Sequence, residues 1–199
     1  MREPSEDPAA AEIGFEATRA VVTALEEAGI DYMVVRSFST NCHARPRSTR
    51  DADLVVSPPG GATARVLRSL PEPYRLDPQI GFESVTGTTR YLLEVTGSAF
   101  TVECFVLSDD PHDRERFARR TRLPMLPGLQ AFVATAEDVI VTKLRWAKEA
   151  GRGKDRDDVR NVLGFRAGHL DTAYIERWAA EHGTLDLYRE IAATIPPLD

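Results

Sequence analysis

The chain has little cysteine, no long apolar run and no excess of positive charge. With 2 cysteines in 199 residues, Cys42 and Cys104 cannot form a zinc cage or a disulfide framework, and this favours a reducing compartment. No stretch approaches the roughly 18 apolar residues of a membrane span, and the acidic, proline-containing start lacks the pattern of a signal peptide. We therefore expect a cytoplasmic protein with no membrane contact.

Charge and motifs exclude further classes of protein. The net charge of −6 argues against a polycation that coats nucleic acid, so any contact with nucleic acid must be local. No serine lies in the strand-turn-helix setting of a hydrolase nucleophile, and no glycine-rich loop carries the lysine of a P-loop. The remaining composition, 42% hydrophobic and 28% charged residues, is typical of an ordinary globular protein.

The order of predicted elements indicates an α+β fold, because helices and strands are mixed in the first part of the chain and helices follow to the end. Periodicity and turn residues predict a helix over 13–28 capped at Gly29, a strand over 32–35, a strand from Asp51, a hairpin over 91–95 and 100–107, a loop over 109–113, brief strands within 123–133, and helices from Thr135 onward.

Composition divides the chain into three parts. Residues 1–11, rich in Pro, Glu and Asp, are predicted to be a flexible N-terminal arm. Residues 12–133 are predicted to form a small mixed β-sheet flanked by helices, and residues 134–199 a C-terminal helical module packed on that core. A ligand site is expected in a cleft between sheet and helices.

Asp51 and Asp53 open the second predicted strand, one residue apart. Because side chains alternate along a strand, both carboxylates point to one face about 7 Å apart, close enough to hold one cation or a close cation pair. Glu103 interrupts an apolar run on another predicted strand, where an unpaired buried charge is costly. Three such acids repel unless a divalent ion such as Mg²⁺ lies between them, and this predicts a metal site.

The acids also have a structural interpretation. An Asp-x-Asp pair at a strand start is often a turn cap or half of a surface ion pair, and Arg47 and Arg50 are close enough in sequence to be partners. Glu103 could equally be an edge-strand charge that discourages pairing between sheets. Four arginines lie between positions 36 and 50, with no acid before Asp51. This positive strip fits a triphosphate or an RNA backbone, although a solvated loop paired with surplus acids is the alternative.

Residues 34–56 resemble the signature of the DNA polymerase β-like nucleotidyltransferase superfamily. In that family a strand ends in Gly-Gly or Gly-Ser, a short helix follows, and an Asp-x-Asp strand comes next. The segment RSTRDADL at 47–54 is close to the form in small bacterial nucleotidyltransferases, including toxins of toxin–antitoxin systems. Those enzymes also carry a helical Lys and then a Lys/Arg-Asp-x-x-Asp segment, which KLRW at 143–146 and KDRDDV at 154–159 resemble.

The resemblance implies the polymerase β-like core and a transfer of a nucleoside monophosphate from an NTP to a hydroxyl of RNA, protein or a small molecule, with Mg²⁺ or Mn²⁺ as cofactor. It implies that Asp51, Asp53 and Glu103 are the metal ligands and catalytic residues, and that Glu103 helps to activate the acceptor hydroxyl. Lys143 would contact the triphosphate, and Asp155 or Asp158 would line the pocket floor. An antitoxin-type protein partner is a further expectation.

One departure from the family concerns the phosphate-binding turn, where this chain has Arg36-Ser37 in place of glycine followed by Gly or Ser. Glycine lets backbone N–H groups approach phosphate, whereas an arginine can bind phosphate through its guanidinium and a serine through its hydroxyl. The residues expected to bind the nucleotide are Arg36, Ser37, Arg47, Arg50, Lys143, Asp155 and Asp158. The alternative is a catalytically impaired relative that binds nucleotide or a protein partner.

Overall fold

In the computed structural model the described residues are 8–57, 61–83, 87–151 and 153–196. The chain divides into two compact units, of which the first is Met1–Phe38 with Ser48–Val133 and the second is Ser39–Arg47 with Ala134–Asp199. Residues 1–7 of the predicted arm lie outside the described residues, whereas residues 8–11 belong to the first helix. Residues 152 and 197–199 of the predicted helical module also lie outside the described residues.

Helices and strands are mixed as far as Val133, and the elements after it are all helices. The strands are β1 (Asp31–Val35), β2 (Asp51–Ser57), β3 (Tyr74–Leu76), β4 (Gly81–Glu83), β5 (Thr88–Val95), β6 (Thr101–Val106), β7 (Thr121–Leu126) and β8 (Leu129–Val133). The helices are α1 (Pro8–Glu27), α2 (Arg36–His43), α3 (Ala62–Ser69), α4 (Pro111–Arg119), α5 (Ala136–Ala150), α6 (Gly153–Phe165), α7 (Thr172–Glu181) and α8 (Leu185–Ala192).

One mixed sheet lies in the first unit, and its described residues form eight strands. The order across it is β3, β5, β6, β2, β1, β8, β7, and β4 also pairs with β5. Strand β2 runs antiparallel to β1 and parallel to β6, while β5 and β6 form the predicted antiparallel pair. The predicted α+β class with a mixed sheet is confirmed, and β3 and β4 are strands that the sequence pattern did not predict.

Helix α1 buries one apolar face within the first unit. Ala17, Val21 and Leu25 recur at a spacing of four residues and are fully buried. After the helix, Gly29 has a φ of 64°, a left-handed conformation that glycine adopts without steric cost. The chain therefore turns directly into β1, as the sequence predicts, and β1 is buried beyond its first residue.

The segment 109–113, predicted as a loop, contains a helix start. Helix α4 begins at Pro111, and the Asp110 side chain accepts hydrogen bonds from the backbone N–H groups of His112 and Asp113. Proline suits the first helical position, because it has no N–H to leave unsatisfied and its φ is already helical. The loop prediction was wrong because Asp-Pro is a turn signal and a helix-start signal at once.

The second unit is helical in its C-terminal part. Thr135 caps α5 by accepting a hydrogen bond from the backbone N–H of Asp138, as the sequence predicts. The Tyr174 hydroxyl of α7 donates to Asp138 Oδ1 at 2.5 Å, and both side chains are buried. Fully buried apolar side chains of this unit include Ile140, Leu144, Val159 and Ile175. No helix among the described residues has the length and apolar character to cross a bilayer.

Candidate active site

Two carboxylates lie on one face of strand β2. The alternation of a strand puts Asp51 and Asp53 on the same side, and Ala52 and Leu54 on the other side are fully buried. The Asp53 side chain is only 2% exposed. Asp51 is half-buried, and its Oδ1 accepts a hydrogen bond from the Thr49 hydroxyl at 2.6 Å. The deeply buried Asp53 therefore depends on cations nearby to compensate its charge.

Glu103 is the neighbour of Asp53 across the sheet. The parallel strands β2 and β6 pair Asp53 with Glu103 and Asp51 with Thr101. Partners in register have side chains on the same face, and adjacent strands lie about 4.8 Å apart. Strand β6 lies between β5 and β2, so the interpretation of Glu103 as an edge-strand charge is wrong. Asp53 and Glu103, called the acidic pair below, thus stand side by side.

Arginine side chains compensate the charge of the acidic pair. Arg36 Nη1 donates to Asp53 Oδ1 at 3.0 Å and lies 3.7 Å from Glu103 Oε2. Arg90 Nη1 donates to the other oxygen of Glu103, Oε1, at 3.0 Å. The guanidinium carbon of Arg36 lies 4.5 Å from the centre of the Phe105 ring, a cation–π contact. Each oxygen of Glu103 therefore faces a guanidinium group.

Arg90 is a site residue that sequence reasoning missed. It lies on β5 opposite Phe105, and this register places it diagonally across from Glu103 on the same face. The available signal was the turn over residues 96–99, because the length of a hairpin turn sets which residues face each other. Without that register Arg90 cannot be told from the other arginines of the chain.

The turn after β1 has a backbone conformation that glycine favours. Arg36 has a φ of 53°, and among the described residues it is the one non-glycine residue with a positive φ. This chain therefore carries a side chain where the resemblance implies glycine. Ser37, next along α2, is half-buried, and Arg50 is exposed just before β2. Of these predicted nucleotide-binding residues, the structure brings Arg36 into contact with the acidic pair.

Four other predicted site residues form an ion cluster within the second unit. Lys143 Nζ lies 2.8 Å from Asp155 Oδ1 and 2.8 Å from Asp158 Oδ2. Arg47 contacts Asp158 through Nε at 3.1 Å and through Nη2 at 2.9 Å. Lys143, Asp155 and Asp158 are buried, and Arg47 is half-buried. The structure thus brings Arg47 to Asp158, and it is Arg36 that pairs with Asp53.

The electrostatics of this cluster are dominated by its cations. Burial disfavours the charged form of Asp158 and by itself raises its pKa, but the hydrogen bonds from Arg47 and Lys143 outweigh that effect. The pKa of Asp158 therefore lies below its usual value, and the side chain is ionised at neutral pH. Asp155 Oδ2 is buried without a hydrogen-bond partner, which leaves the cluster incompletely satisfied.

The acidic pair has the donor chemistry of a magnesium or manganese site. Both ions prefer oxygen ligands, and Asp53 and Glu103 offer carboxylates from adjacent strands, with Asp51 on the same face. Within the described ranges no three His, Cys, Asp or Glu side chains converge as a ligand set. The cation at the acidic pair is instead the Arg36 guanidinium. The residues fit a divalent ion in type, and the Arg36 guanidinium lies against the two carboxylates that such an ion would use.

No protein-family model matches the chain, and no curated protein matches its sequence. Solved structures do match it. The solution structure of the antibiotic-resistance factor ANT(2'')-Ia aligns over 90% of this chain and 97% of its own, with a TM-score of 0.58 and 12% identity. A crystal structure of ANT(2'')-Ia in complex with adenylyl-2''-tobramycin aligns over 87% and 98%, with a TM-score of 0.57 and 15% identity. JHP933 of Helicobacter pylori aligns over 94% and 82%, with a TM-score of 0.50 and 15% identity.

At identities this low the likeness concerns the fold. The structural neighbours are nucleotidyltransferases, and this chain has the DNA polymerase β-like nucleotidyltransferase fold. The resemblance seen in residues 34–56 is confirmed at that level.

Proposed function

We propose that this chain, which has the nucleotidyltransferase fold, is a metal-dependent enzyme that moves a nucleoside monophosphate from an NTP to an acceptor hydroxyl. The observation that carries the proposal is the acidic pair, because Asp53 and Glu103 are register partners on adjacent parallel strands. Asp51 lies on the same face. Mg²⁺ or Mn²⁺ held there would neutralise charge on the reacting phosphate. The nucleotidyltransferase neighbours support such a transfer in general terms.

In the proposed reaction the acceptor oxygen attacks the α-phosphorus of the NTP. The bond between that phosphorus and the oxygen bridging to the β-phosphate breaks, and pyrophosphate leaves. Asp51, Asp53 and Glu103 would hold the metal, and Glu103 would also help to activate the acceptor hydroxyl by taking its proton. Arg36, Ser37 and Arg50 supply hydrogen-bond donors for the phosphates.

The roles implied for the ion cluster of the second unit stay predictions. Lys143 already contacts Asp155 and Asp158, so a phosphate would compete with two carboxylates for its ammonium group. Arg47 likewise holds Asp158 through two hydrogen bonds.

Label transfer tests the proposed activity directly. The protein is incubated with Mg²⁺, each α-labelled NTP, and RNA, protein or tobramycin as acceptor, the last because an ANT(2'')-Ia complex contains adenylyl-2''-tobramycin. We expect label in the acceptor and release of pyrophosphate. Asp53→Asn should lower the rate by about 100-fold or more, since a metal ion contributes several kcal/mol to such reactions. Asp109→Asn is the control, because that side chain is 94% exposed in a loop. An Asp53→Asn variant with the wild-type rate would end the proposal.

A second candidate function is a catalytically impaired relative that binds nucleotide or a protein partner, such as an antitoxin-type protein. The favouring observation is Arg36, which holds the left-handed conformation and lies against the acidic pair. Calorimetry with an NTP and Mg²⁺ separates nucleotide binding from none. Label transfer by Arg36→Gly but not by the wild-type protein would support this candidate.

A further inference from the structure

Arg36 adopts a backbone conformation that residues with side chains rarely hold. Its φ of 53° lies in the left-handed region, where glycine is favoured. Such residues persist where their contacts over-determine the conformation, and they cluster at functional sites. The contacts of the Arg36 side chain are therefore the place to look for its role.

The guanidinium of Arg36 bridges the acidic pair. Its Nη1 is 3.0 Å from Asp53 Oδ1 and 3.7 Å from Glu103 Oε2, and the group stacks on Phe105. The Asp53 and Glu103 side chains are 2% and 17% exposed, so water screens their charges only weakly. Two adjacent carboxylates in such surroundings need a cation nearby to compensate their charge.

A divalent metal at the acidic pair would need the same oxygens. Arg90 donates to Glu103 Oε1, whereas Glu103 Oε2 faces Arg36, the arginine that also pairs with Asp53. A guanidinium and a metal ion are both positive, and at these distances they repel each other strongly. The presence of one cation at the acidic pair therefore disfavours the binding of the other.

We propose that Arg36 is a built-in cation that competes with the divalent metal for Asp53 and Glu103, so that metal binds only as the guanidinium leaves. The inference rests on the proposed function, because it takes the acidic pair as the metal site. It makes Arg36 the residue that sets metal affinity, a role separate from any contact with phosphate.

Titration with Mn²⁺ in the absence of nucleotide tests the competition. The electron paramagnetic resonance signal of free Mn²⁺ measures how much of the ion remains unbound. Arg36→Gly suits the left-handed backbone and removes the guanidinium. We expect it to bind Mn²⁺ roughly ten-fold more tightly than wild type, the scale of one charge-assisted hydrogen bond. Arg36→Asn should show a similar gain, because asparagine tolerates this backbone and carries no charge. Arg75→Gln, an exposed arginine on β3 paired with Glu94, controls for general loss of positive charge and should leave the affinity unchanged.

The outcomes separate this inference from the proposed function. Equal Mn²⁺ affinity in wild type and both Arg36 variants, together with loss of binding in Asp53→Asn, would leave the metal site standing and refute the competition. A gain in Arg36→Gly alone would refute it too, because relief of the backbone and not of the charge would then be the cause. Absence of Mn²⁺ binding in every variant would refute both the competition and the metal site.

Discussion

Asp158 is the acid on which the ion cluster of the second unit depends. Replacing it by alanine leaves Lys143 with Asp155 alone and removes both hydrogen bonds from Arg47. Removal of one partner from a buried ion pair costs about 3–5 kcal/mol when the other charge is left without compensation, and the lower end applies here because Lys143 keeps Asp155. The Arg47 side chain is 37% exposed, so its contribution is small. We expect Asp158→Ala to lower the free energy of unfolding by about 3 kcal/mol.

Urea unfolding at pH 7, monitored by tryptophan fluorescence, measures this loss of stability in the second unit. The chain has 2 tryptophans, Trp146 and Trp178, and both belong to the second unit. The matched control is Asp157→Ala, since Asp157 is the preceding residue of α6 and its side chain, 67% exposed, pairs with Arg160 on the surface. Such a surface pair contributes about 0.5 kcal/mol or less.

Two results would refute the reasoning about Asp158. One is a free energy of unfolding for Asp158→Ala within about 0.5 kcal/mol of wild type, the range of an ordinary surface substitution. The other is an equal loss in Asp157→Ala, which would mean that burial and pairing do not distinguish the two acids. Either comparison measures a change in stability only if the slope of the free energy of unfolding against urea concentration is the same in the variant and in wild type.

Three further predictions concern Asp158, the two cysteines and Tyr174. The pKa of Asp158 is lower in the folded than in the unfolded protein, where it is about 3.9. The contribution of Asp158 to stability is therefore complete above the unfolded-state pKa, and it is lost as the pH falls through the folded-state pKa. Urea titrations should therefore show a constant stability gap between wild type and Asp158→Ala at pH 5 to 7, shrinking below about pH 4; a gap that widens in acid would contradict this. Burial, reinforced by neighbouring carboxylates, raises the pKa of Cys104 to about 12, and burial raises the pKa of Cys42 to about 11. A thiol reagent at pH 8 should label neither cysteine in the native protein and both after unfolding, and rapid native labelling would count against the burial. Tyr174→Phe removes a buried hydrogen bond to Asp138 and should cost about 1–3 kcal/mol in the same urea assay, whereas an unchanged midpoint would show that the bond contributes nothing.

Local features of this fold were predictable because they depend on residues close together in the chain. The spacing of Ala17, Val21 and Leu25 predicts the buried face of α1, and Gly29 predicts where that helix ends. Alternation along a strand predicts that Asp51 and Asp53 share a face. The pattern of residues 34–56 also indicated the fold that the structural neighbours have.

Pairing between distant residues was not predictable in the same way. Glu103 was selected as a charge in an apolar run, but only the parallel register of β2 and β6 places it beside Asp53. Arg90 becomes visible only when β5 is paired with β6. The sequence also groups Arg36 and Arg47 in one positive strip, whereas the structure assigns them to different units with different acids as partners.

The amino-acid sequence alone thus determined the helix faces, the strand alternation and the presence of two aligned acids, because these follow from backbone geometry over a few residues. The tertiary structure decided which charges compensate one another. Strand register and helix packing set those distances, and they join residues as far apart as Arg36 and Glu103, or Arg47 and Asp158. The position of Arg36 against the acidic pair is the clearest case, since its type was visible in the sequence and its contact with Asp53 was not.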